Sequence, residues 1–269
     1  MKNKKVLHII MPMAGEGSRF KEAGYDVPKP LIKVEGKELY RHALDSVLYS
    51  KDDERYYLND VFIKYTFIVR EEFVINYNID KEIKKHYKNA NIITIKETTR
   101  GALETLMLAK DLIDDNDYVI SIDCDIKFDC PNYVLNIYKH CINNDNCPMV
   151  LSFYSKSPIY SYVKPLEYEG YGNKIVEKEV ISNYALGGCY CLGKGKTLKE
   201  AANQYIKDFE EGKIKSKELY LSLVINYIMN ILNTCVEIYD MNLHKDHYWS
   251  FGTPYDLEHY NYDRNIWDN

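Results

Sequence analysis

Val6-Leu7-His8-Ile9-Ile10-Met11 runs without a break into Pro12-Met13-Ala14-Gly15-Glu16-Gly17-Ser18-Arg19-Phe20. A short, almost wholly apolar run suits a strand covered on both faces, as in a parallel sheet flanked by helices. The two glycines that follow let backbone N–H groups turn toward an anion with no Cβ in the way. Arg19 adds a planar fork of donors that fits phosphate oxygens. Further along, Pro28-Lys29-Pro30-Leu31 sets a lysine between two prolines, and Pro30 biases Lys29 toward extended backbone, which stiffens the position of its charge. Alone, a Gly-x-Gly turn is more often an ordinary strand-to-loop connection. It lacks the third glycine of a dinucleotide fingerprint, since Phe20 is followed by Lys21, Glu22 and Ala23. A GxxxxGK match at Gly188 to Lys194 has Gly195 where Ser or Thr must hold magnesium, and it is read as chance.

Outward from this loop the pattern alternates. Residues 37–50 and 72–88 read as helices, 60–69 and 91–95 as strands, and a helix of amphipathic period starts at Gly101. Tyr118-Val119-Ile120-Ser121-Ile122 reads as another buried strand, ending in Asp123-Cys124-Asp125. Strand, helix, strand, helix implies right-handed crossovers and a largely parallel sheet. After residue 130 come short strand-like runs at 148–154, 161–166, 173–178 and 186–192. Helical stretches at 196–210 and 217–232 follow, then a strand at 235–240 and a helix after Pro254. The expected fold is α/β: one Rossmann-like domain over 1–269, with a mixed, mostly parallel central sheet flanked by helices. Ligands of such sheets bind beyond the carboxyl ends of the strands, so the glycine loop and the acidic pair are placed to face one cleft.

The bulk numbers exclude several classes. A net charge of −5 provides no global field for nucleic acid or an anionic membrane, so neither is an expected partner. No stretch approaches the ~20 apolar residues of a membrane helix, and the N-terminal apolar run is too short for a signal peptide. Seven cysteines without a CxxC pair fit reduced thiols in a cytoplasmic protein. The 26 tyrosines are read as codon bias rather than an aromatic binding surface.

Asp123 and Asp125, two apart at a strand end, can address one cation from the same side. Magnesium takes one or two carboxylates together with substrate phosphates and water. A solvated turn is the bland reading of a DxD pair, and its place after a buried strand favours the metal.

Taken together, the AGxGxRF loop after the first strand and the PKPL segment downstream resemble the sugar-phosphate nucleotidyltransferases, or nucleotide-sugar pyrophosphorylases, of GT-A-like fold. The resemblance spans Met11 to about His259, with motifs in order. It implies transfer of a nucleoside monophosphate from an NTP to a small phosphorylated acceptor, with Mg²⁺ as cofactor and pyrophosphate released. Residues 1–130 become the NTP-binding half and 131–269 the acceptor-binding half. Arg19, Lys29 and Asp125 take catalytic roles. Met13, Ala14, Gly15, Glu16, Gly17, Ser18, Thr99, Gly101, Ala102 and Asp123 are expected at the nucleotide, with Asp125 and Asp123 at the metal. Glu177-Lys178 resembles the family's acceptor dyad, and Gly188 and Tyr190 belong to its Asn-Tyr-Ala, Gly-x-Tyr strand. A second metal-binding aspartate of the family falls at Ser250, with Asp246 or Asp256 as possible substitutes. Sugar 1-phosphates and surface-polysaccharide (capsule) precursors are the default acceptor and pathway. CTP with phosphocholine or a phosphorylated amino-acid derivative is the alternative. A GT-A glycosyltransferase and a non-catalytic nucleotide-binding subunit also stay open, and many members of the family self-associate.

Overall fold

The computed structural model describes residues 5–48, 61–168 and 170–267, with side chains as far as Tyr260. The N-terminal half contributes β1 (Lys5–Met13), α1 (Ser18–Glu22), β2 (Lys33–Val34), β3 (Lys37–Glu38), α2 (Leu39–Val47) and β4 (Val61–Arg70). It continues through α3 (Glu71–Tyr77), α4 (Ile79–His86), β5 (Asn91–Ile95), α5 (Ala102–Met107), β6 (Tyr118–Ile122) and β7 (Ile126–Asp129). The rest is α6 (Pro131–Asn143), β8 (Met149–Tyr154), β9 (Ser161–Pro165), β10 (Tyr171–Glu177), β11 (Tyr184–Lys194), α7 (Gly195–Glu210) and α8 (Leu221–Leu232). β12 (Val236–Asp240), α9 (Met241–His244), β13 (His247–Ser250) and α10 (Pro254–Trp267) complete the chain.

Among the described residues nine strands form one sheet, in the order β5-β4-β1-β6-β11-β8-β12-β10-β9. β5, β4, β1 and β6 are mutually parallel. Chain order therefore reverses at β1, which is followed by β4 on one side and β6 on the other. A crevice opens at such a reversal, beyond the carboxyl ends of the two strands. Behind β6 the sheet changes character: β11 is antiparallel to β6 and β8, β12 is parallel to β8, and β10 and β9 return antiparallel. The sheet is mixed, as expected, but not mostly parallel: among the described residues four of its neighbour pairings are parallel and four antiparallel. Short antiparallel strands could not be told from parallel ones by apolar runs alone.

Local chemistry sets the element boundaries. The helix expected over 72–88 is cut in two at Asn78, whose backbone is left-handed (φ +52°), a conformation asparagine tolerates. The end of the helix expected over 37–50 and the start of the strand at 60 lie outside the described residues. The GxxxxGK match falls inside β11 and forms no phosphate loop.

Both faces of the sheet are packed. Leu7, Ile9 and Met11 of β1 face one core with α2 and α6, and Ile10 faces the other with α5, α7 and α8. A small third core joins Phe20, Ile32 and Leu39 to Phe251, Leu257 and Tyr260. It ties the loop after β1 to the last segment of the chain. No helix among the described residues is long and apolar enough to cross a membrane.

Candidate active site

Beyond the ends of β1 and β6 lies a cleft of about 260 Å³. Met13, Gly15, Gly17, Ser18, Arg19, Lys29, Asp123 and Asp125 line it, together with Phe20 and Gly252. The glycine loop and the acidic pair therefore share one cavity.

The loop owes its shape to two residues. Gly17 is left-handed (φ +63°), a backbone conformation glycine adopts without strain, and the Lys29 side chain packs beside it at ordinary contact distance. Phe20 is 1% exposed and packs edge-on against Tyr25. With Phe20 anchored in the third core, its neighbour Arg19 stays exposed at the cleft. No ion-pair partner of Arg19 occurs among the described residues. Ala14 is buried behind the loop, and Glu16 stands on the rim, where it accepts a 3.4 Å hydrogen bond from the Thr98 hydroxyl.

Lys29 Nζ donates to Asp125 Oδ2 in a half-buried ion pair. Burial opposes the charge on Lys29, but the carboxylates beside it, Asp125 above all, carry its pKa upward, so it stays an ammonium. Asp123 is shifted well up from the usual carboxylate range, by burial first and then by the charge of Asp125. Its Oδ2 lies where a Cβ on Gly188 would be, at 2.6 Å, and Gly188 is left-handed (φ +74°). Gly188 thus makes a cradle for the Asp123 carboxylate, and its carbonyl accepts from the Asp123 N–H at 2.9 Å. Two carboxylates crowded at one strand end, one of them with no ion pair among the described residues, suit a divalent cation; the donor set fits magnesium.

Ser250 stands where the resemblance expects a second aspartate. Its Oγ accepts from the Gly252 N–H at 3.3 Å. One proposed substitute stands near Asp125: a Cβ on Gly252 would lie 3.5 Å from Asp256 Oδ2 and 3.6 Å from Asp125 Oδ2. Asp256 Oδ2 accepts the Thr253 N–H at 2.7 Å, capping α10, while Asp246 Oδ2 accepts the Tyr239 hydroxyl at 2.6 Å. Among the described residues the cleft's carboxylates are Asp123 and Asp125. Phe251 N–H donates to the Asp125 carbonyl at 2.6 Å, so this late segment also supports Asp125 through its backbone.

Residues 99–102, expected at the nucleotide, have a structural role that the sequence did not disclose. Gly101 (φ +150°) packs so tightly on Leu219 that a Cβ would sit 2.6 Å from that residue's carbonyl oxygen. Thr99 Oγ1 donates to the Gly101 carbonyl at 3.0 Å, and Ala102 opens α5. These residues do not line the cleft itself. The glycine admits the chain at 219.

Glu177 and Lys178 line a second cavity, of about 610 Å³, between the end of β10 and residues 214–220. Lys178 holds a left-handed backbone (φ +56°), strained for a lysine, and its Nζ donates to the Tyr220 hydroxyl at 3.0 Å. The Glu177 carboxylate accepts from the hydroxyls of Ser161 and Ser222, the latter at 2.9 Å. Tyr190 is buried on β11, near Asp123 and Glu177.

No family model and no curated protein matches the chain. Solved structures do match in fold. A nucleoside-diphosphate-sugar pyrophosphorylase from Vibrio cholerae RC9 is 21% identical, with a TM-score of 0.69 over 93% of this chain and 98% of that one. An inositol-1-phosphate CTP transferase from T. maritima is 15% identical, with a TM-score of 0.66 over 94% and 91%. A putative glucose-1-phosphate thymidylyltransferase from Bacillus anthracis is 19% identical, with a TM-score of 0.64 over 94% and 93%. The chain therefore has the fold of the sugar-phosphate nucleotidyltransferases, along nearly its whole described length.

Proposed function

We propose that the protein is a magnesium-dependent nucleotidyltransferase, moving a nucleoside monophosphate from an NTP to a small phosphorylated acceptor with release of pyrophosphate. The observation that carries this reading is the shared cleft of about 260 Å³, lined by Gly15, Gly17, Ser18 and Arg19 together with Asp123 and Asp125. The fold neighbours support it, being described as pyrophosphorylase, CTP transferase and thymidylyltransferase.

A phosphate monoester is already a nucleophile near neutral pH, so no general base is needed. Catalysis then rests on positioning and on charge neutralisation. The loop amides around Gly15 and Gly17 and the Arg19 fork hold the β- and γ-phosphates, where negative charge gathers as pyrophosphate leaves. Asp123 and Asp125 would hold Mg²⁺, which would supply further positive charge to the substrate phosphates. Lys29, held by Asp125, keeps a second positive charge beside the α-phosphate. Lys178 and Glu177 receive the acceptor, and residues 131–269 form its half of the protein. The default acceptor is a sugar 1-phosphate for surface polysaccharide, such as capsule. The inositol phosphate named for the T. maritima neighbour keeps CTP with a non-sugar acceptor as the second reading.

A grid of NTPs against phosphorylated metabolites, read by pyrophosphate release, tests the reading and assigns both substrates. Release of a nucleoside diphosphate from a nucleotide sugar would instead establish a glycosyltransferase. No turnover, with no exchange of labelled pyrophosphate into any NTP, would leave a binding subunit and remove the enzyme reading.

A further inference from the structure

The second cluster of metal-ligating side chains lies at the opposite end of the sheet from the cleft, where β8 and β12 begin and α6 ends. How α6 stops determines its geometry. Asn144 turns left-handed (φ +61°), and the Asp145 N–H reaches back to the His140 carbonyl at 2.9 Å, closing the helix in a six-to-one bond. That turn folds the Asp145 carboxylate over the His140 ring, with Oδ2 3.9 Å from Nδ1. On the other side Glu237, early in β12, brings Oε2 to 3.4 Å from Nε2. The other Asp145 oxygen accepts the Cys147 N–H at 3.0 Å, which orients the carboxylate.

Two further observations make this more than a group of charges. One ligand atom from each of His140, Asp145 and Glu237 lies within 4.8 Å of the others. The His140 side chain is only 10% exposed, and its Nδ1 is buried with no hydrogen-bond partner among the described residues. A buried imidazole nitrogen left unpaired beside the Asp145 carboxylate is costly unless a positive charge, a proton or a metal ion, fills the gap. Asp145 stays half open to solvent, which leaves a path for an ion to enter.

We propose that His140, Asp145 and Glu237 bind a divalent cation of the zinc class, which clamps the end of α6 to the starts of β8 and β12 and takes no part in the cleft's chemistry. Imidazole with carboxylates suits zinc, whereas magnesium prefers oxygen ligands alone. Zinc–ligand lengths of ~2.0–2.2 Å place tetrahedral ligand atoms roughly 3.3 Å apart, so the site must close from its spread of up to 4.8 Å, with Asp145 and Glu237 brought to one ring nitrogen. Three protein ligands leave the fourth position to water.

The test titrates chelator-stripped full-length protein with Zn²⁺ and with Co²⁺ as its spectroscopic substitute. Asp125→Asn, which weakens cation binding in the cleft, is expected to keep one tight zinc per chain. Its Co²⁺ form should show the strong visible absorption of a four-coordinate site containing nitrogen. His140→Gln should weaken zinc binding at least tenfold, and Glu237→Gln should do the same, so the idea remains testable if one variant fails to fold. Zinc should raise the melting temperature of the wild type and of Asp125→Asn but not of Glu237→Gln. Absence of zinc uptake by the stripped wild-type protein overturns the proposal. So does zinc binding that is lost in Asp125→Asn and kept in His140→Gln and Glu237→Gln.

Discussion

Phe20 is buried against Tyr25 and the third core while Arg19, the next residue back, is left exposed at the cleft with no ion pair among the described residues. This separation of anchor from working group makes Arg19 a clean target. Arg19→Ala should lower turnover by about 10²–10³-fold, or ~2.7–4 kcal/mol of transition-state stabilisation, as for other lost electrostatic contacts. The melting temperature should not change. Steady-state kinetics beside a thermal melt checks both, and unaltered turnover would remove Arg19 from the mechanism. His8 carries a different prediction. Fully buried in β1, it meets Thr66 Oγ1 at 2.8 Å and Asp117 at 3.3 Å. Burial pulls its pKa below the ordinary 6.5, against the upward pull of Asp117 and with help from Lys64. The unfolded chain takes up a proton near pH 6.5 while the folded one resists, so stability is complete above that pH and declines as pH falls through it. The denaturation midpoint should fall between about pH 7.5 and 5.5, and fall less in His8→Gln.

Elements meet in this protein through glycines at points of close approach. Gly101, at the start of α5, lets the backbone pass against Leu219, and the pair is sealed by Leu103 N–H to Leu219 carbonyl at 3.0 Å and Leu219 N–H to Arg100 carbonyl at 2.9 Å. A methyl group 2.6 Å from a carbonyl oxygen forces the two segments apart. Gly101→Ala should destabilise by about 1–3 kcal/mol, the range for overpacking, seen as a lower urea midpoint. Because residues 214–220 also wall the Lys178 cavity, the KM for the acceptor should rise more than that for the NTP. Equal effects on both substrates would argue that the cavity is not the acceptor's.

Across the whole molecule, the chain's first loop and its last segment depend on each other. Phe251 is fully buried against Tyr260 (ring centroids 5.1 Å apart) in the core that holds Phe20, and its N–H supports the carbonyl of Asp125. Phe251→Ala should cost about 3–5 kcal/mol through the cavity it leaves. It should also reduce activity in the protein that remains folded, since both walls of the cleft lose a support. Activity per folded molecule, measured with the folded fraction from circular dichroism, separates the two effects.

What the sequence determined by itself is local. An apolar run, glycines, an arginine and a proline-bracketed lysine specify a buried strand and an anion-ready loop. A second such run followed by Asp123 and Asp125 places two carboxylates at another strand end. Their meeting was legible only as an inference from strand polarity. The tertiary structure decided the rest, because those outcomes depend on which distant segments touch. It set the mixed order of the sheet, the cradle of Gly188 under Asp123, the use of Gly101 for Leu219 and the strained backbone of Lys178. It also brought together His140, Asp145 and Glu237, the last of them 92 residues beyond Asp145. Spacing along a chain encodes a turn or a face, but contact between remote segments is chosen by how the packed layers bury their apolar surface.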